Sequence, residues 1–255
     1  MTAPAAPAQV GVAGRLRIGL RLALLLGWLL TCLLLYGLRA LLPGRNRVAP
    51  LFLRGTLRIV GGRLHVRGTR APTPCFLIAN HLSWLDILAL AGATGTAFVA
   101  HDGLAGNAGL RFLCRLNRTV FIARSERGTV GEQVGQLQQG LRESGVLTLF
   151  PEGTTNDGQT LRPFKSSLLA AVDGGDDTVA IQPVWLDYGP EAPDIAWFGA
   201  ETGLANALRL MARAKPVPVT VHLLPPLAGQ ERNTRKTIAA AAREAIEAVS
   251  TGAEI

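Results

Sequence analysis

The first 85 residues of this 255-residue chain contain no aspartate or glutamate; Asp86 is the first acid. Eleven arginines lie in residues 1–70, whereas the remainder carries 15 basic against 18 acidic residues. The net charge of +8 therefore belongs to the N-terminal quarter. Aromatic residues make up only 5% and are not interleaved with those arginines, so the stacking platform of a nucleic-acid binder is missing and no nucleic-acid partner is expected. Cys32, Cys75 and Cys114 lie far apart with no CxxC pair, which excludes a disulfide framework and a thiolate zinc site. His65, His81, His101 and His222 show no metal-binding spacing, and no DxDxDG loop occurs, so no metal is expected. A GxSxG elbow, a P-loop and a GxGxxG turn are likewise missing, leaving no evident protein nucleophile and no expected cofactor.

What the chain does have is apolar surface. Hydrophobic residues make up 48% against 17% charged, with mean hydropathy +0.26, which excludes a disordered tail and implies contact with lipid. Leu22 to Leu38 is an uncharged run between Arg21 and Arg39, extending to Leu42 if Arg39 snorkels. At about 1.5 Å per residue the run covers roughly 25 to 30 Å, so it crosses a bilayer once or lies re-entrant in one leaflet. Arginines on both sides form a juxtamembrane surface attracted to anionic headgroups, and their excess after the run places the following domain on the cytoplasmic face of the inner membrane. The chain divides into a disordered start over 1–14, a membrane-anchoring helical segment over 15–44 and a domain over 45–255.

Within that domain short apolar runs alternate with helical patterns, the mark of an α/β fold with a mostly parallel sheet flanked by helices. Cys75 to Ala79, Thr119 to Ala123, Val146 to Phe150, Val179 to Leu186 and Val217 to Leu224 read as strands. Ser83 to about Leu90 reads as a helix, and Val130, Val134, Leu137 and Leu141 form one stripe of another. Asn233 caps a last helix running to about Val249. Right-handed crossovers would send His81, Arg124 and Glu152 to the same carboxyl edge of the sheet, where ligands of open α/β folds sit.

The segment Asn80-His81-Leu82-Ser83-Trp84-Leu85-Asp86 carries the chemistry. In a continuous helix His81 and Asp86 would point about 140° apart, so His81 must precede the helix. A capping box with Ser83 at the N-cap puts Asp86 in the first turn and lets the loop fold the imidazole back to the carboxylate. A histidine so held is a general base suited to neutral pH. With no protein nucleophile to activate, it would act directly on a substrate hydroxyl or on water. The alternative is that Asp86 merely caps the helix.

NHLSWLD resembles the NHxxxxD block of the glycerolipid acyltransferase superfamily. FIAR, FPEGTT and the proline-containing strand VAIQPVWL resemble its other three blocks, in the right order, over about residues 75–186. FPEGTTNDG followed by RPFKSSLL looks most like bacterial lysophosphatidic acid acyltransferases and the neighbouring lyso-ornithine-lipid acyltransferases.

The resemblance implies transfer of an acyl group from acyl-CoA or acyl carrier protein to the free hydroxyl of a lysolipid, with lysophosphatidic acid the leading acceptor and a lyso-ornithine lipid the alternative. His81 and Asp86 would be the catalytic pair, and Arg124 would hold the acceptor phosphate. Glu152, Gly153, Thr154 and Thr155 match the acceptor-binding loop. There Glu152 would order the loop, Arg124 or the glycerol hydroxyls, Gly153 would allow a tight turn, and Thr154 would offer a hydrogen bond. Lys165 would add a second cation or simply begin a solvated helix. His101 and Ala123 depart from the family pattern, which often has lysine at the first and a polar residue at the second. A reading of another class is a non-catalytic membrane lipid-binding protein.

Overall fold

A computed structural model describes residues 10–44, 46–101, 108–122, 130–173 and 178–252. Seven strands, β1 (Gly62–Arg67), β2 (Cys75–Ala79), β3 (Ala97–His101), β4 (Val120–Ile122), β5 (Val146–Leu149), β6 (Ala180–Asp187) and β7 (Val217–Leu223), form one sheet in the order β1-β7-β6-β2-β5-β3-β4. From β6 to β4 all neighbours are parallel. β7 runs antiparallel to β6, with β1 parallel to β7 on the outer edge.

All five residues of β2 are buried because both faces of the sheet are covered. Leu77 and Ala79 pack in one core with Leu57 of α2 (Val48–Ile59), Leu85 and Leu88 of α3 (Leu85–Thr94), and Leu210 of α7 (Gly203–Ala212). Phe76 and Ile78 pack in a second core with Leu137 and Leu141 of α5 (Val130–Ser144) and Ile238 and Ala242 of α8 (Arg235–Ser250). The period of two along the strand thus divides its side chains between two helical layers. Two further helices are α4 (Ala108–Leu116) and the short α6 (Ala192–Ile195), whose Ile195 joins the first core.

Several boundaries differ from expectation. α3 begins at Leu85 instead of Ser83, because Asp86 takes the Leu82 and Ser83 main-chain N–H groups into its carboxylate and holds that turn out of the helix. The last helix is capped by Thr234, whose hydroxyl accepts from the Thr237 N–H at 3.2 Å; Asn233 ends the preceding 3-10 turn. Pro183 lies inside β6 without breaking it, since the β6–β7 pairing starts one residue later at Val184 with Leu223.

α1 (Val12–Ala40) starts inside the stretch read as disordered and continues without interruption through the apolar run. Its inner face recurs at spacings of four and three. Gly14 lies over Ala212, Ile18 and Leu25 join the first core, and the Trp28 indole donates to the Phe52 carbonyl of α2 at 3.0 Å. At the crossing with α2, a Cβ on Gly55 would sit 2.4 Å from the Trp28 ring, so only glycine lets the helices approach this closely. Arg17 and Arg21, expected to face headgroups, turn inward instead and donate to the Leu210, Met211 and Ala212 carbonyls that end α7. The carbonyls left over in the last turn and the negative end of the helix dipole account for that choice. Leu16, Leu26, Leu30 and Leu34 form an outer face, each more than half exposed.

Candidate active site

β2 ends at Ala79, and the next two side chains make opposite connections. Asn80 turns toward β6, where its amide donates to the Leu186 carbonyl at 3.1 Å and accepts the Leu186 N–H at 2.7 Å, continuing the β2–β6 ladder with a side chain. His81 turns out of the sheet. Its Nδ1 lies 2.8 Å from Asp86 Oδ2. The same oxygen accepts the Leu82 N–H at 2.6 Å and the Ser83 N–H at 2.9 Å, while Oδ1 accepts the Tyr188 hydroxyl at 2.6 Å. Asp86 is fully buried, and among the described residues these are its donors. A carboxylate accepts, which puts the Nδ1 proton on the Asp86 side and leaves the Nε2 lone pair open. Among the described residues Nε2 has no partner, and the ring is 17% exposed.

Phe150, which follows β5, stacks on the imidazole with centroids 4.0 Å apart and planes inclined by 14°. The loop over residues 151–156 follows. Glu152 is buried; it accepts the His81 N–H at 2.7 Å and the Arg162 N–H at 3.1 Å, and the Asn156 amide reaches both of its oxygens. The Asn156 N–H returns a bond to the His81 carbonyl at 2.9 Å. His81 is therefore fixed through its ring by one carboxylate and through its main chain by a second. Burial pushes the Glu152 carboxyl above its ordinary range, opposed by the Asn156 amide and the two main-chain donors.

The comparisons with known proteins meet this geometry. A family model described as Acyltransferase matches residues 63–187, the stretch that runs from β1 to the end of β6 and contains both carboxylates and the histidine. A lyso-ornithine lipid O-acyltransferase of Rhodobacter capsulatus is 35% identical over 213 residues, covering 80% of this chain and 76% of that protein. The chain belongs to the acyltransferase family. A 1-acyl-sn-glycerol-3-phosphate acyltransferase of Neisseria meningitidis is 27% identical over 208 residues, covering 80% and 81% of the two chains. The crystal structure of the 1-acyl-sn-glycerophosphate acyltransferase of Thermotoga maritima shares the fold, with a TM-score of 0.55 at 22% identity over 92% of this chain and 98% of that one.

The remaining expected residues of this acyltransferase fall into different situations. Gly153 has φ +73°, which is why the turn takes glycine, and the Lys165 ammonium would lie 2.9 Å from a Cβ there. Lys165 is exposed, precedes the 3-10 helix Ser166–Val172, and carries its charge over Gly153. Thr154 is exposed at the tip. The Thr155 hydroxyl donates to the Trp197 carbonyl, tying the loop to the segment after α6, where the Trp197 N–H in turn reaches the Leu82 carbonyl at 2.9 Å. Arg124 and Ala123 lie outside the described residues, as does the His101 side chain. No group of three or more His, Cys, Asp or Glu side chains placed to hold a metal occurs among the described residues.

Asn80, Phe150, Asn156 and Tyr188 join the site without having figured among the residues expected from sequence. For Asn80 and Phe150 the signal was their position at strand ends next to His81 and Glu152. For Tyr188, 102 residues from Asp86, no local signal exists.

Proposed function

We propose that the chain transfers an acyl group from a thioester to the free hydroxyl of a lysolipid, with His81 as general base. The open Nε2 of an imidazole oriented by Asp86 carries this reading. In the step, Nε2 takes the hydroxyl proton while the oxygen bonds to the thioester carbonyl carbon. Collapse then breaks the C–S bond, and the imidazolium returns the proton to the departing thiolate of coenzyme A or acyl carrier protein. General base catalysis contributes roughly 10² to 10⁴ in rate, with positioning supplying much of the rest. Arg124 and Lys165 are proposed to hold the acceptor's anionic group, and Thr154 to offer it a hydroxyl.

For the acceptor we favour a lyso-ornithine lipid, because the Rhodobacter relative of that name is nearer in identity than the Neisseria lysophosphatidate relative over similar lengths of this chain. Lysophosphatidic acid is the second reading, supported by the Neisseria relative, which is similar over 80% of this chain. We further propose that α1 lies in one leaflet on the cytoplasmic side. Its inner face is occupied by α7 near Gly14–Arg21 and by α2 near Trp28, which leaves only the outer leucine face for lipid.

Purified protein in nanodiscs, offered both lysolipids with both thioester donors and read by mass spectrometry, tests these assignments. Acylated ornithine lipid is expected, with His81→Ala lowering turnover about 10²- to 10⁴-fold. Turnover of lysophosphatidic acid alone reverses the order of acceptors, and full activity in His81→Ala removes the proposed base.

A further inference from the structure

Tyr188 is the first residue after β6, and β6 lies beside β2, so its ring enters the core directly behind the turn that carries His81. The side chain is 1% exposed and packs with Leu85, Leu186 and Ile195. Its hydroxyl donates to Asp86 Oδ1 at 2.6 Å. That oxygen receives no other bond among the described residues, whereas Oδ2 receives the imidazole and two main-chain N–H groups.

We infer that Tyr188 is a positioning residue of acyl transfer, fixing the plane of the Asp86 carboxylate and drawing off part of the charge that it presents to His81. This rests on the reading of His81 as general base. A carboxylate held at one oxygen can still pivot about its Cβ–Cγ bond; a second bond at the other oxygen stops the pivot. The phenol is suited to the task because it remains a donor. Burial pushes it well above its ordinary range, as do the charge and hydrogen bond of Asp86, so it stays protonated wherever the enzyme works. The groups that titrate around the imidazole are Asp86 from α3, Tyr188 from the end of β6 and Glu152 from the loop after β5; the ring face is closed by Phe150.

The test is the pH profile of kcat/KM for Tyr188→Phe in the full-length enzyme in nanodiscs, with the lysolipid that the wild type turns over. The ring is kept and only the donor is lost. Asp86 then directs all of its charge at the imidazolium, the protonated and inactive form, so the acid limb moves up by about 0.5 to 1 pH unit. Loss of a hydrogen bond to a charged group lowers kcat about tenfold with KM for either substrate unchanged. An acid limb that stays in place overturns the inference, whatever happens to kcat.

Should Tyr188→Phe fail to fold, the chain's having only two tyrosines offers a second route. Tyr36→Phe protein grown with 3-fluorotyrosine carries a more acidic phenol at position 188, a stronger donor, and its acid limb moves down; no movement again overturns the role. Full activity in His81→Ala would instead defeat the general-base reading. Inactive His81→Ala with an unmoved limb in Tyr188→Phe defeats the Tyr188 role alone.

Discussion

Every acceptor position on Glu152 that the structure describes faces a donor: the His81 N–H on one side, the Arg162 N–H on the other, and the Asn156 amide across both oxygens. Glutamine there must turn an NH₂ toward one of them, and an unpaired buried donor costs about 1–3 kcal/mol. Glu152→Gln is therefore expected to lower the melting temperature, and to reduce kcat through the loosened loop that anchors the His81 main chain. The pH dependence has a definite sign. The native carboxyl is held above its ordinary value of 4.5, so the folded state binds more protons than the unfolded one, and the pH-dependent part of its contribution is present at low pH and fades as pH rises. Wild type should thus lose stability relative to Glu152→Gln as pH rises upward from about 4.5, measured by thermal unfolding at several pH values.

The legible part of the site was the part written locally. Asp86 lies five positions after His81, a spacing that a continuous helix would send to different faces, so the loop between them was legible. Asn80 and Tyr188 were illegible because their partners, Leu186 and Asp86, are over 100 residues away and are brought near only by the β2–β6 pairing.

At the level of elements, the docking of α1 depends on two guanidinium groups seated on the last carbonyls of α7. Charge-assisted bonds of this kind contribute about 1.5–3 kcal/mol each. Arg17→Met with Arg21→Met is expected to speed hydrogen exchange at the C-terminal end of α7 and along the first half of α1, while the β2 and β5 amides stay protected. Unchanged exchange in α7 would mean that apolar packing alone holds the helix. The elements read correctly from sequence share a cause. β2 and β5 are short apolar runs bounded by polar residues, buried on both faces. β1, with the sequence GRLHVR, gave no such signal because it is an edge strand with one face toward solvent. α2 was hidden by Pro50 and Gly55, of which the proline occupies the first turn, where its missing N–H is harmless, and the glycine serves the crossing with Trp28.

Across the whole molecule, charge and apolar surface are gathered at one end. Arg17 and Arg21 are spent on α7, so the cations left for anionic lipid include Arg47, Arg54 and Arg58, which are exposed along α2 with Leu51 between them. Each such arginine contributes about 1 kcal/mol near a charged bilayer. Replacing all three with glutamine should weaken binding to phosphatidylglycerol vesicles in flotation assays by roughly a hundredfold and leave binding to phosphatidylcholine vesicles nearly unchanged. Equal loss on both lipids would assign the attachment to the leucine face alone. The composition revealed the basic end, but it did not reveal which arginines turn inward, since that depends on where α7 terminates.

The four bonds on Asp86 carry one further implication. With three bonds on one oxygen and the Tyr188 hydroxyl on the other, the carboxylate has little room to tilt and makes the imidazole a stationary post and not a swinging arm. Motion toward the reacting geometry then has to come from the two incoming molecules. On the proposed placement of α1 in lipid, the depth at which a lysolipid floats relative to that helix becomes a coordinate of the reaction itself, and a bilayer of altered thickness is expected to retune the enzyme without touching a single one of its side chains.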